Sequence, residues 1–227
     1  MKIDVLGCGS AFSSLWTTSF VIESNNKRLL LDCGTDIRHS ANQNGLKPTD
    51  FDVVYISHIH SDHVAGLEWL AFNPLTLFAH ISYKKYLMQY IEEVMCRSIK
   101  NSKPSDFFNL CFVQNGFSWQ DLYLELIPNE HSSDMISYGI LIGDKVYFST
   151  DSKKFNQKGS SAELIFHDCE TGKTFTGLHS RYEDLVKLPE KIKSKIKLVH
   201  YNDNPSQNAE KDGFLGFAQI GETFDLQ

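Results

Sequence analysis

The chain has no Cys-x-x-Cys pair, no apolar run of bilayer length, no internal repeat, no low-complexity tract and no surplus of basic residues. Each absence removes a class of function. The cysteines (Cys8, Cys33, Cys96, Cys111 and Cys169) are odd in number and unpatterned, which reads as reduced thiols rather than a disulfide framework, some of them simply small core residues. No stretch approaches the roughly 20 apolar residues a membrane helix needs. Met1-Lys2-Ile3-Asp4-Val5-Leu6 carries no apolar signal core, so the expectation is a cytoplasmic protein with no membrane partner. With 22 basic against 28 acidic residues, net −6, the chain is not built to grip long nucleic acid through its phosphates. A small anionic substrate stays open, because bound dications reverse the local field. What remains is an ordinary globular composition, 41% hydrophobic over 227 residues, enough for one domain spanning residues 1–227.

The densest chemistry stands in Ile56-Ser57-His58-Ile59-His60-Ser61-Asp62-His63, directly after the apolar run Val53-Val54-Tyr55-Ile56. Three imidazoles and one carboxylate within six positions form a metal-ligand cluster rather than a solvated turn. If strand geometry continues past Ile56, His58 and His60 project to the same side. Asp62 and His63 then fall on the turn into a helix beginning Val64-Ala65-Gly66-Leu67. Imidazole with carboxylate suits zinc, with manganese or iron as alternatives.

The pattern around this cluster alternates strands and helices. Strands are expected at 2–6, 18–23, 28–32, 53–57, 75–80, 122–127, 135–142, 145–150, 163–167 and 197–200, with a hairpin turn at Ser24-Asn25-Asn26-Lys27. Helices are expected at 36–43, 64–72, 82–99, 181–187 and 190–195. The 82–99 segment sets Tyr83, Tyr86, Leu87, Tyr90, Ile91 and Met95 on one face, as a core helix or as a dimer or lid contact. An α/β sandwich fits this order better than a doubly wound sheet. Two metals need more ligands than one turn supplies. His131 follows a strand and the turn Pro128-Asn129-Glu130, Asp151 follows Ser149-Thr150, and His200 closes the last strand.

With these residues together, the chain resembles the metallo-β-lactamase superfamily, through Gly7-Cys8-Gly9, Leu31-Asp32-Cys33-Gly34, the 58–63 cluster, His131, Asp151 and His200. The resemblance implies an αββα sandwich of two mixed sheets flanked by helices, with two Zn²⁺ ions (Mn²⁺ as an alternative) at the sheet edges. His58, His60 and His131 would hold one metal, Asp62, His63 and His200 the other, and Asp151 would bridge them. An Asp at the bridging position points to the phosphodiesterase and ribonuclease branches. His167-Asp168-Cys169-Glu170 and Thr176-Gly177-Leu178-His179-Ser180 look like the ribonuclease Z pattern, which makes His179 the assisting His and Asp168 the acid that orients it. His39 and His80 match nothing in the pattern and read as structural or surface residues.

The interval from His131 to Asp151 has room for two strands only, so the projecting arm with which ribonuclease Z clamps tRNA is absent. The chain looks instead like the compact cyclic-nucleotide phosphodiesterases of the superfamily, the group of the phage anti-Pycsar proteins and their bacterial relatives. That resemblance implies a small anionic substrate, a 3′,5′-cyclic nucleotide opened to a linear monophosphate by metal-bridged hydroxide, in the cytoplasm (the host's, if phage-encoded). Two dications would lower the pKa of a shared water and steady the phosphate charge. Asp62 and Asp151 would orient that nucleophile, and His179, held by Asp168, would protonate the departing ribose oxygen. Asp32 is expected to accept a hydrogen bond from a ligand His. Trp16, Phe20 and residues 202–204 are the candidates for contacting the base, and relatives of this branch imply a homodimer. Competing readings are a ribonuclease Z-like nuclease on short RNA, a thioester or lactone hydrolase, and a non-catalytic protein that sequesters a cyclic nucleotide.

Overall fold

Residues 1–226 other than Pro74 are described by a computed structural model of the chain. Six strands open the fold: β1 (Lys2–Gly7), β2 (Ser19–Ser24), β3 (Lys27–Leu31), β4 (Val53–Ile56), β5 (Leu75–His80) and β6 (Phe108–Val113). They lie side by side in sequence order, antiparallel up to β3 and parallel from there to β6. A second sheet holds β7 (Gly116–Trp119), β8 (Leu122–Ser132), β9 (Met135–Ile142), β10 (Val146–Phe148), β11 (Leu164–Asp168) and β12 (Ile196–Val199), with β10, β11 and β12 parallel. The chain then returns to the first sheet, where β13 (Thr223–Asp225) pairs with β1. Helices α1 (Ile37–Gln43), α2 (Ser61–Val64), α3 (Leu67–Leu70) and α4 (Lys84–Val94) belong to the first half, and α5 (Tyr182–Leu185) and α6 (Glu190–Lys193) to the second.

Period-2 alternation sorts each strand between two apolar layers. Leu29 and Leu31 of β3 face the second sheet and pack with Phe20, Leu126, Ile140, Phe148 and Phe166, whereas Leu30 joins Val54, Leu67, Leu77, Leu87 and Ile91 under the helices. The outer face of the second sheet buries Ile127, Tyr147, Ile165 and Leu198 against Tyr182, Leu185 and Ile192. The result is the expected αββα order, in two mixed sheets. The 24–27 hairpin also forms as expected, Asn25 and Asn26 taking the positive φ values of 51° and 59° that a tight primed turn requires.

Several local expectations need correction. Pro128-Asn129-Glu130 is no turn. It continues β8, with Pro128 opposite Tyr138, and this is tolerated because β7 pairs with β8 only from Leu122 to Glu125, so no ladder needs an N–H at Pro128. The 82–99 helix is shorter than its apolar pattern. Ile81–Tyr83 and Cys96–Ser98 are 3-10 turns around α4, and Tyr86 is 54% exposed. The 64–72 helix is broken at Gly66. A Cβ there would lie 2.3 Å from the Gly34 carbonyl oxygen, and one on Gly34 would lie 2.0 Å from that of Asp62. Both glycines let the 32–34 turn dock against the ligand-bearing segment. Strands β6, β7 and β13 carry no clear period in sequence; they occupy sheet edges or pair with few partners.

Candidate metal centre

The side chains expected as ligands converge where strands of both sheets stop. β4 ends at Ile56, so His58 and His60 stand on the following loop rather than on continued strand, and Asp62 and His63 sit in α2. His131 is the penultimate residue of β8, while Asp151 and His200 follow β10 and β12. Three non-glycine residues at these strand ends, Asp32, Thr150 and His200, adopt left-handed φ of 61°, 50° and 58°. Backbone held in this region is costly and clusters where a fold must aim a side chain.

Two groups form. In the first, His58 Nε2 and His131 Nε2 lie 3.1 and 2.9 Å from His60 Nδ1. Tetrahedral ligands on zinc sit about 3.3 Å apart, the spacing that bonds of about 2.0–2.1 Å give. In the second, Asp62 Oδ2 is 3.3 Å from both His63 Nε2 and His200 Nε2. Asp151 stands between them. Its Oδ2 faces His58 and His131 at 3.6 and 3.4 Å, and its Oδ1 faces His63 and His200 at 3.1 and 3.4 Å. The residues that the sequence resemblance named as ligands thus come together in two groups that could each hold a metal ion, and Asp151 stands in both.

The donor set fits metal ions on its own physical terms. Asp32, Asp62, Asp151 and Asp168 are buried carboxylates, and among the described residues no lysine or arginine pairs with any of them. Buried anions need cations. Among the described residues, the buried atoms His63 Nε2 and Asp151 Oδ1, 3.1 Å from each other, meet no partner in hydrogen-bond geometry. Burial lowers the His58 and His131 pKa values, leaving neutral imidazoles suited to a metal. Burial also opposes charge on His63 and His200, but the facing carboxylates, Asp151 foremost, reverse the effect and raise both pKa values, so this side of the centre draws positive charge.

The ring orientations are set from behind. His63 Nδ1 donates to Asp32 Oδ2 at 2.8 Å, which leaves Nε2 turned to the centre and gives Asp32 the acceptor position expected of it. Asp32 also accepts from the Ser57 hydroxyl at 2.8 Å, and Ser57 in turn lies 3.0 Å from His58 Nδ1. His131 Nδ1 donates to the Leu178 carbonyl at 3.0 Å. Neither Ser57 nor a backbone carbonyl far along the chain carries any signal in the sequence. Asp168 is fully buried, accepts from the Ser152 N–H at 2.8 Å, and holds His179 Nδ1 at 2.9 Å, leaving His179 Nε2 for the cavity. Burial opposes protonation of His179, yet the charge and hydrogen bond of Asp168 outweigh it and raise the pKa. Asp151, Asp168, His179 and His200 also lie close enough to form a third ligand group. The mutual bond of His179 and Asp168 leaves this pair able to hold a proton beside the other two groups.

A cavity of about 310 Å³ opens over the centre, lined by His60, Asp62, His131, Asp151, His179 and His200 together with Phe12, Glu170, Thr176 and Asn202. Of the residues expected to contact a base, Asn202 is placed there and Phe20 is not. Phe20 is 3% exposed, packed 4.9 and 4.8 Å from the rings of Phe148 and Phe166 in the layer between the sheets. Trp16 does not line the cavity. His39 and His80 stand apart from the centre, His80 stacked on Tyr138 at 3.8 Å.

Comparison with known proteins agrees with this architecture. The crystal structure of a diphosphatase from the PhnP family superposes with a TM-score of 0.82 at 18% identity, covering 100% of this chain and 98% of that one. The metallo-β-lactamase-fold protein YhfI from Bacillus subtilis gives 0.78 at 19% identity, covering 98% of each chain. A protein of Paenibacillus xerothermodurans described as anti-Pycsar protein Apyc1 is 26% identical over 249 aligned residues, spanning 100% of this chain and 98% of its own length. The family model for that protein matches residues 1–224. The chain therefore belongs to the anti-Pycsar protein Apyc1 family and has the metallo-β-lactamase fold.

Proposed function

We propose that this chain is a dinuclear metal-dependent phosphodiesterase that opens 3′,5′-cyclic nucleotides to linear nucleoside monophosphates. The observation that carries the reading is the His179–Asp168 pair beside two ligand groups that share Asp151. A thioester hydrolase expels a thiolate, which leaves without a proton, whereas the ribose alkoxide of a cyclic phosphodiester needs a donor. The family's name, anti-Pycsar, also fits an enzyme that destroys a nucleotide signal.

His58, His60 and His131 would hold one metal and Asp62, His63 and His200 the other, with one Asp151 oxygen turned to each. Zinc or manganese bound there supplies Lewis acidity toward the phosphate and brings the pKa of a water near neutrality. Asp62 and Asp151 orient the water for attack on phosphorus. His179 Nε2 gives its proton to the ribose oxygen as the P–O bond breaks, and Asp168 keeps the ring in the donating tautomer. The water's proton restores His179 at the end of the cycle, so the net change is addition of one water across the P–O bond. Residues 1–227 act as one domain, in the cytoplasm of the cell or of a host.

Against a ribonuclease Z-like nuclease stands the tight β8–β9 connection. β8 ends at Ser132 and β9 starts at Met135, so no arm projects between His131 and Asp151. The reading includes a homodimer, for which the exposed Tyr86, Val94 and Ile99 around α4 offer an apolar surface. The test is chromatography after incubating the metal-loaded protein with a panel of 3′,5′-cyclic nucleotides and with short RNA. Linear monophosphates that vanish on chelation are expected. Turnover of RNA with every cyclic nucleotide intact would replace this reading by the nuclease.

A further inference from the structure

We propose that Phe12 is the platform on which the base of the substrate stacks, which makes the 10–14 turn the part of this chain that contacts the nucleobase. The proposal rests on the cyclic-nucleotide reading above. Phe12 is 99% exposed, more than any other large hydrophobic among the described residues, yet it lines the same cavity as His60, Asp62, Asp151 and His179.

This exposure does not belong to a loosely held loop. The Ser13 N–H donates to the Ser10 carbonyl at 3.1 Å, closing a turn with Ala11 and Phe12 at its corners. At its start, the Ser10 N–H donates to the Tyr201 carbonyl at 3.1 Å, one residue past His200. At its end, Asp203 accepts from the Ser13 hydroxyl at 2.5 Å and from the Ser14 N–H at 2.9 Å. The ring therefore stands on backbone tied at both sides to the segment that carries a metal ligand. A fully hydrated aromatic face gains no contact from the protein itself, whereas a purine or pyrimidine laid on it removes two apolar faces from water and adds stacking. The cavity volume of about 310 Å³ lies at the small end of ligand sites. It suits the ribose phosphate ring over the metals and leaves the base at the mouth, where Phe12 stands.

Phe12→Ala, Phe12→Tyr and, as a control at an exposed ring away from this cavity, Phe72→Ala (Phe72 is 77% exposed) are the variants to make. The metal-loaded proteins are assayed on adenosine and uridine 3′,5′-cyclic monophosphates and on the base-free 3′,5′-cyclic phosphate of 1-deoxyribose. Phe12→Ala is expected to raise KM for both nucleotides about 10-fold while kcat stays nearly constant, the signature of lost uniform binding. Phe12→Tyr and Phe72→Ala keep the wild-type KM, and the base-free phosphate shows no difference among the four proteins. An unchanged KM in Phe12→Ala overturns the assignment, as does an equal rise on the base-free phosphate. A change of sedimentation in Phe12→Ala overturns it too, by placing the ring between two copies of the chain. Absence of wild-type turnover on these two and on the rest of the cyclic-nucleotide panel is a different failure: it removes the cyclic-nucleotide reading itself and this assignment with it.

Discussion

The two ligand groups share one carboxylate and differ in almost everything else. His58, His60 and His131 form an all-imidazole set whose burial favours neutral rings, and only Asp151 brings it charge. Asp62, His63 and His200 form a carboxylate-rich set, backed by Asp32 behind His63 and by Asp168 at 3.5 Å from His200. The first is a soft, neutral cradle. The second is an anionic one that draws positive charge before any ligand bond forms. The contrast bears on the proton-handling role proposed for the His179–Asp168 pair. His179 stacks 4.6 Å from the His200 ring and bonds to the same Asp168 that faces His200, so it lies on the anionic side, where Asp168 and Asp151 raise its pKa.

The largest expected effect comes from removing what the two groups share. Asp151→Ala should lose metal from both sets and reduce turnover to background, read by elemental analysis and by chromatography of the product. Retention of about two metals per chain in that variant would remove the shared role. Next is His179→Ala. It should lower kcat by about 10²–10⁴-fold, the usual contribution of a placed proton donor, with both metals still bound. A nitrophenyl phosphodiester, whose leaving group departs without a proton, should be spared most of that loss. Equal losses on both substrates would show that His179 shapes the site or binds phosphate. The smallest effect separates the sets. Asp32→Asn places an amide where His63 needs an acceptor, and should weaken metal binding in the anionic set by about 10–100-fold. Equal weakening of both sets would show that Asp32 acts as strongly on His58, through Ser57, as on His63.

The sequence exposes the members of each set unequally. His58, His60, Asp62 and His63 are contiguous, so their chemistry is visible before any fold is known, and a loop in place of continued strand does not disturb it. His131, Asp151 and His200 are isolated in sequence, and only the habit of placing ligands at strand ends singles them out. The 128–130 segment misleads, because Pro and Asn signal a turn by composition while a free edge of β8 lets them stay extended. The supports of the imidazoles are the least legible. Ser57 acts by lying between Asp32 and His58, and Leu178 contributes a carbonyl any residue type carries. Phe20 and Phe12 show the same limit for aromatics. Both are phenylalanines near glycine-containing loops, and only the packing of Phe20 between Phe148 and Phe166 shows which is core.

A calorimetric titration of the demetallated protein with zinc tests the shared centre most directly. Two binding events per chain are expected, about the stoichiometry of a two-metal site, with both lost or severely weakened in Asp151→Ala. A single-site isotherm for the wild type, or two events that persist unchanged in Asp151→Ala, would contradict a centre of two metals joined by one carboxylate.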